Sequence, residues 1–177
     1  MEFTYIMHCL YPSPSHYCIM QGKPIPYGIS NYKTIIDEGY AYVDKTMYIE
    51  TLEQAGVHNL FLRPRRFGKS LFTSMLGYYY DINEKDNFDT LFSNTYIGEN
   101  PTKRKNAYYV MKFNFSGSRT DSDGIVLRSF TRSVHESLLT FCAVYNIDIA
   151  LEMNSPEEQL LSVFSTFTEF LTAKSTS

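Results

Sequence analysis

The stretch that most constrains this chain is the junction between residues 59 and 80. Asn59-Leu60-Phe61-Leu62 is a short apolar run between turn signals and reads as a buried strand. Regular structure then breaks over Arg63-Pro64-Arg65-Arg66-Phe67-Gly68, because Pro64 has no amide to donate and Gly68 has no side chain. From Lys69 the pattern turns helical, with Leu71, Met75, Leu76 and Tyr79 recurring on one face. A basic loop that ends in a helix sets unpaired main-chain N–H groups, and the positive end of the helix dipole, against whatever it encloses.

The loop compares with the phosphate-binding pattern G-x-x-x-x-G-K-[ST]. Its eight positions read R-P-R-R-F-G-K-S, so Gly68, Lys69 and Ser70 match and Arg63 stands in place of the first glycine. Each matching residue has a physical reason. Gly68 lets the backbone come close to a phosphate, Lys69 offers a point charge to the outer phosphates, and Ser70 offers a hydroxyl to Mg²⁺. Arg65 and Arg66 add charge, Pro64 removes one donor, and the amides of Phe67 to Leu71 complete the cradle. ATP with Mg²⁺ is the expected ligand, bound by Arg63, Pro64, Arg65, Arg66, Phe67, Gly68, Lys69, Ser70 and Leu71, with Ser70 on the metal. A solvated basic turn between strand and helix has the same spacing and is the bland alternative.

Along the rest of the chain, Pro24 to Gly28 is a rigid lead-in, and Tyr40-Ala41-Tyr42-Val43 is a strand candidate. Asp44 is placed to cap a helix running to about Ala55, with Gly56 ending it. Asp86 to Phe92 reads as a short helix, and Ala107 to Phe115 as the best strand of the chain. Asp123 is placed to cap a helix from about Ile125 to Tyr145, with Leu127, Phe130, Val134, Leu138, Phe141 and Tyr145 on its apolar face. Ser155-Pro156-Glu157-Glu158 is a capping box that opens a last helix, with Leu160, Phe164, Phe167 and Leu171 as its apolar stripe. Alternating strands and helices predict an α/β fold of the P-loop NTPase type, a parallel sheet flanked by helices and incomplete at the C-terminus.

The 177 residues carry a net charge of −3, which argues against a dedicated nucleic-acid binder. The clustering of Arg63, Arg65, Arg66 and Lys69 suits a compact phosphate partner instead. Three cysteines, Cys9, Cys18 and Cys142, form no disulfide framework. His8, Cys9, His16 and Cys18 match no zinc spacing. Residues 1–23 read as a poorly ordered N-terminal extension, for which Met20 is an alternative start, and 24–177 as the folded part. The apolar runs are too short for a membrane span, and the N-terminus lacks the order of a signal peptide, so a cytoplasmic location is expected.

Three stretches carry a family resemblance: Ile25-Pro26-Tyr27-Gly28-Ile29-Ser30, then Tyr42-Val43-Asp44-Lys45-Thr46, then Phe61 to Leu71. With Asn87 to Phe92 and Tyr109 to Ser116, they resemble the predicted AAA-ATPase-like family from about Pro24 to the C-terminus. That family uses arginine at the first loop position, so Arg63 fits it. The resemblance implies an ATPase whose members continue into an acidic Walker-B strand, and often into a C-terminal PD-(D/E)XK nuclease-like domain. Neither segment is recognisable here, and Asp37-Glu38 precedes the loop, so the chain resembles the N-terminal part only. Hydrolysis needs a carboxylate on Mg²⁺ and a group to orient water. Binding with poor turnover is therefore expected, and any nuclease-like or nucleic-acid partner would be met through the missing region.

Within the family-like run, Asp44 reads as a helix cap with Lys45 solvated, or else both lie near the nucleotide. Asp121 and Asp123 read as turn and cap residues before metal ligands. His135 reads as a satisfied or exposed histidine, and Arg128 with Arg132 as a solvated face. Two other functions compete with nucleotide binding: a nucleic-acid-associated protein that meets backbone phosphate with its basic loop, and a truncated scaffold that binds nothing.

Overall fold

The structure, a computed structural model, describes residues 22–56, 58–116, 123–152 and 154–175. The N-terminal extension lies outside the described residues up to position 21, taking with it His8, Cys9, His16, Cys18 and Met20; Asp121 lies outside them too. Seven α-helices occur among the described residues: α1 (Tyr32–Asp37), α2 (Tyr48–Gln54), α3 (Lys69–Tyr80), α4 (Phe88–Phe92), α5 (Tyr96–Glu99), α6 (Asp123–Tyr145) and α7 (Pro156–Ser175). A 3₁₀ helix, Ile82–Asn87, leads into α4. The chain divides into two compact units, one running to Leu76 and including Asp89–Asn100, the other comprising Gly77–Phe88 and the residues from Pro101 onward.

The first unit is organised around Tyr32. Asn31 caps α1 by accepting from the Thr34 amide at 3.2 Å, which directs Tyr32 and Ile35 inward. The Tyr32 ring stacks on Phe92 at 5.2 Å and meets Tyr42 edge-on at 5.1 Å. Its hydroxyl donates to the Leu91 carbonyl at 2.8 Å, and its amide donates to Ser74 Oγ at 3.0 Å. Burial, with Tyr42 and Asp44 nearby, pushes its phenol well above the ordinary tyrosine value. Ile49, Phe72, Met75, Leu91 and Ile97 complete the buried apolar set of this unit.

The second unit is built on α6 and α7. Val134, Leu138, Phe141, Cys142, Tyr145, Ile147 and Val163 form its core, with Tyr109, Met111, Leu160, Phe167 and Phe170 packed against them. Ser155 Oγ accepts from the Glu158 amide at 3.3 Å, the N-cap bond expected from the capping box. The buried side of α7 follows Gln159 and Val163, whereas Phe164 is 53% exposed and Leu171 is also exposed. On α6 the apolar face is buried from Val134 onward, while Leu127 (62% exposed) and Phe130 face solvent.

The expected parallel sheet is absent: among the described residues there is no β-strand, only an isolated parallel bridge between Asp81 and Tyr108. The α/β, P-loop NTPase-like reading is therefore corrected to a helical one. Asn59 to Leu62 is irregular, with no ladder partner among the described residues, and Leu60 is 83% exposed. Tyr40 to Val43 is also irregular, tied down by the Ala41 amide donating to the Pro24 carbonyl at 2.9 Å. Ala107 to Phe115 contributes side chains instead of a ladder. Tyr109 and Met111 enter the α6–α7 core, and the Val110 amide donates to the Tyr145 hydroxyl at 2.7 Å. An apolar run satisfies a strand pattern and an extended packing segment equally well, and here the helices supply the surface it packs on.

Candidate functional site

The basic loop closes on its own lysine. α3 begins at Lys69, so Gly68-Lys69-Ser70 straddles the start of a helix. The Lys69 ammonium folds back to donate to the carbonyls of Arg63 and, at 3.2 Å, Pro64. Residues 63 to 69 thus form a ring closed by one side chain. The first hydrogen bond of the helix end runs from the Phe72 amide to the Gly68 carbonyl at 2.9 Å. Among the described residues the amides of Lys69, Ser70 and Leu71 have no acceptor, as expected in a first helical turn.

Two loop residues sit in the left-handed region, Arg66 at φ 67° and Gly68 at φ 76°. Glycine adopts that conformation freely, whereas Arg66 holds it at some cost. Arg63, by contrast, has no positive φ, so the place of the missing first glycine needs none. Its guanidinium lies 5.6 Å from the centre of the Phe61 ring, which stacks on Phe72 at 5.0 Å. The arginine thereby fastens the start of the loop to the first turn of α3. Pro64, Arg65, Arg66 and Phe67 are exposed, as is Ser70, while Leu71 is half-buried.

Asp44 does not cap the helix its position suggests. α2 starts at Tyr48 behind Met47 and has no side-chain cap. Asp44 instead accepts from the Thr46 amide at 2.8 Å and from the Tyr96 amide at 2.7 Å, at the start of α5. Thr46, fully buried, accepts from the Ile97 amide at 3.1 Å. Tyr42 to Thr46 is therefore pinned on both sides of Lys45. Lys45 itself is exposed, and its ammonium lies 4.0 Å from where a β-carbon on Gly68 would stand. No linear spacing links Lys45 to the loop; the one signal in the sequence is the family-like Y-V-D-K-T run.

The remaining candidates have ordinary roles. His135 Nδ1 lies 2.9 Å from Gln159 Oε1, and the Gln159 amide group donates to the Asn154 carbonyl at 2.7 Å. Gln159 Oε1 is thus an acceptor, which puts the proton on His135 Nδ1. Arg132 pairs with Glu136 on the exposed side of α6 at 2.8 Å. Asp37 ends α1 and Glu38 follows it, both exposed. Among the described residues there is no cluster of three or more His, Cys, Asp or Glu able to hold a metal ion, and no helix is long and apolar enough to cross a membrane.

The chain is 42% identical over 66 residues to a protein of Azotobacter chroococcum mcd 1 named "Uncharacterized protein in vnfD 5'region". That match takes in 37% of this chain and 13% of the Azotobacter protein, so the chain spans a small part of its relative's length. No solved structure matches. The family model described as predicted AAA-ATPase matches residues 26–175, which include the whole basic loop and the Asp44–Thr46 segment, and the chain belongs to this AAA-ATPase-like family.

Proposed function

We propose that the chain binds a nucleoside triphosphate, ATP with Mg²⁺, at residues 63 to 71. The observation that carries this reading is the closed ring made by Lys69 on the carbonyls of Arg63 and Pro64. It holds a lysine ammonium over a loop whose next elements are three helix-start amides without acceptors. Cation and amides together suit an anion with several oxygens. Gly68 leaves the floor of the loop free of a side chain, and Arg65 and Arg66 add exposed positive charge. Ser70 is the hydroxyl of the loop, so Mg²⁺ would be held by its Oγ and by the phosphates themselves. Bound there, the metal would neutralise phosphate charge. Membership of a family described as predicted AAA-ATPase supports the same ligand class.

The test is thermal unfolding with and without Mg-ATP, on the wild type and on Lys69→Ala. At a hundredfold excess over Kd, a ligand bound only by the folded state adds about 2.7 kcal/mol, or roughly 5 to 10 °C in Tm at this chain length. The wild type is expected to shift and Lys69→Ala to lose the shift, each measured against its own ligand-free protein because the substitution also removes the two bonds that close the loop. An equal shift in both proteins, or none in the wild type, refutes the proposal. Salt-sensitive DNA binding in place of the nucleotide shift would favour a nucleic-acid role for the same basic loop.

A further inference from the structure

We infer that Lys45 is a second phosphate-binding lysine, delivered to the loop from outside it, and that the site is thereby set for a nucleoside di- or triphosphate rather than a monophosphate. The inference rests on the proposed nucleotide site and deepens it. Its starting point is distance: the Lys45 ammonium stands 4.0 Å from the β-carbon position of Gly68, the residue across which a phosphate would approach the backbone.

Three observations make this more than a passing surface lysine. First, the backbone on either side of Lys45 is fixed. Asp44 accepts from the amides of Thr46 and Tyr96, and the buried Thr46 accepts from Ile97, so residue 45 is presented from an anchored turn. Second, the ammonium has no ion pair or hydrogen bond among the described residues. Third, the nearby acids face elsewhere. Both Asp44 oxygens accept main-chain amides, and Glu50 accepts from the Tyr96 hydroxyl at 3.2 Å. Lys69, meanwhile, closes the loop from within. Two ammonium groups then serve one loop, one from the motif and one from the anchored turn. Lys45 is assigned to the phosphates beyond the first, and AMP, which lacks them, is the ligand that tests the assignment.

The experiment measures the binding of Mg-ATP, Mg-ADP and AMP by titration calorimetry, at low and high potassium chloride, for wild type, Lys69→Ala, Lys45→Ala and Lys45→Arg. Lys45→Ala is expected to weaken Mg-ATP and Mg-ADP by about tenfold at low salt, with a smaller loss at high salt. AMP binding should stay as in the wild type, and Lys45→Arg should recover most of the loss. Because Lys45 is exposed, the ligand-free Lys45→Ala and Lys45→Arg proteins should unfold at the wild-type temperature. A readout on the wild type itself is amine acetylation followed by mass spectrometry. Mg-ATP should protect Lys45 and Lys69 and leave the exposed Lys103 as reactive as before. Wild-type affinity in Lys45→Ala beside lost affinity in Lys69→Ala overturns this inference and leaves the nucleotide site standing, as does unprotected Lys45 beside protected Lys69. No binding by the wild type, or full binding by Lys69→Ala, overturns both.

Discussion

Replacing Asp44 by alanine removes the acceptor that joins residues 40–46 to the start of α5. The carboxylate takes two main-chain amides, Tyr96 at 2.7 Å and Thr46 at 2.8 Å, both short enough to be charge-assisted. A hydrogen bond to a charged group contributes roughly 1.5–3 kcal/mol. Asp44 is only half-buried, so water replaces part of each bond, and the low end of the range applies to both. The expected loss is about 3 kcal/mol, or roughly 6 to 12 °C in Tm for a chain of this size. Asp44→Asn keeps one carbonyl oxygen but turns an amide N–H₂ toward the other donor, so it should lose about two-thirds as much.

Urea unfolding gives the loss, and hydrogen exchange locates it. In Asp44→Ala the amides of Tyr96 and Thr46 should exchange faster, while amides of α6 keep their wild-type protection up to the limit set by global unfolding. Lys45→Ala, a neighbouring change that removes no hydrogen bond or ion pair among the described residues, should leave both stability and exchange as they are. If Asp44→Ala were as stable as Lys45→Ala, or if Tyr96 and Thr46 kept their protection, Asp44 would not anchor the turn. Residue 45 would then not be presented from a fixed backbone.

Gly98→Ala should be among the most damaging small changes in the first unit. The new β-carbon would fall on the Phe92 carbonyl oxygen and 2.7 Å from its carbon, both backbone atoms, so α5 must move at a cost of about 3 kcal/mol, read by urea unfolding. Tyr32→Phe removes the bond to the Leu91 carbonyl and should cost about 1 kcal/mol at neutral pH. The Tyr32 phenol is raised by burial, so its contribution is fully present below the unfolded value near 10 and is lost as pH climbs above it. Denaturation curves at about pH 8 and about pH 11 should therefore show the gap between wild type and Tyr32→Phe closing as the solution becomes alkaline; a constant gap contradicts the burial argument.

What the sequence displays are the features whose cause is local. The start of α3 at Gly68-Lys69-Ser70 follows from the broken loop and the spacing of Met75 and Tyr79, both buried. The start of α7 follows from Ser155 and its N-cap bond. α1 and α5 are six and four residues long, too short for a periodic face, and their signals reduce to the caps Asn31 and Thr95. Leu127 and Phe130 continue the apolar face of α6 in sequence, yet burial begins only at Val134, because a 23-residue helix can outrun what packs on it. The strand assignments failed for a deeper reason. A strand exists through a partner's ladder, and no property of Asn59 to Leu62 states whether one is present.

The same distinction separates the two halves of the candidate site. The loop half is local: Lys69 reaches back six residues to Arg63, and the glycine that permits the closure precedes it directly. The Lys45 half is not, since it depends on Asp44 and Thr46 finding the amides of Tyr96 and Ile97 some fifty residues away. That Asp44 accepts main-chain amides is readable from its residue type; the distant segment it reaches is not. This also bears on energetics. Lys69 already has neutral carbonyl acceptors, so moving it onto a phosphate exchanges one set of bonds for a charged one and gains only the difference. Lys45 has no protein partner to give up among the described residues. The lysine outside the motif can therefore contribute to affinity on a scale similar to the one inside it, although only the latter is written into the loop.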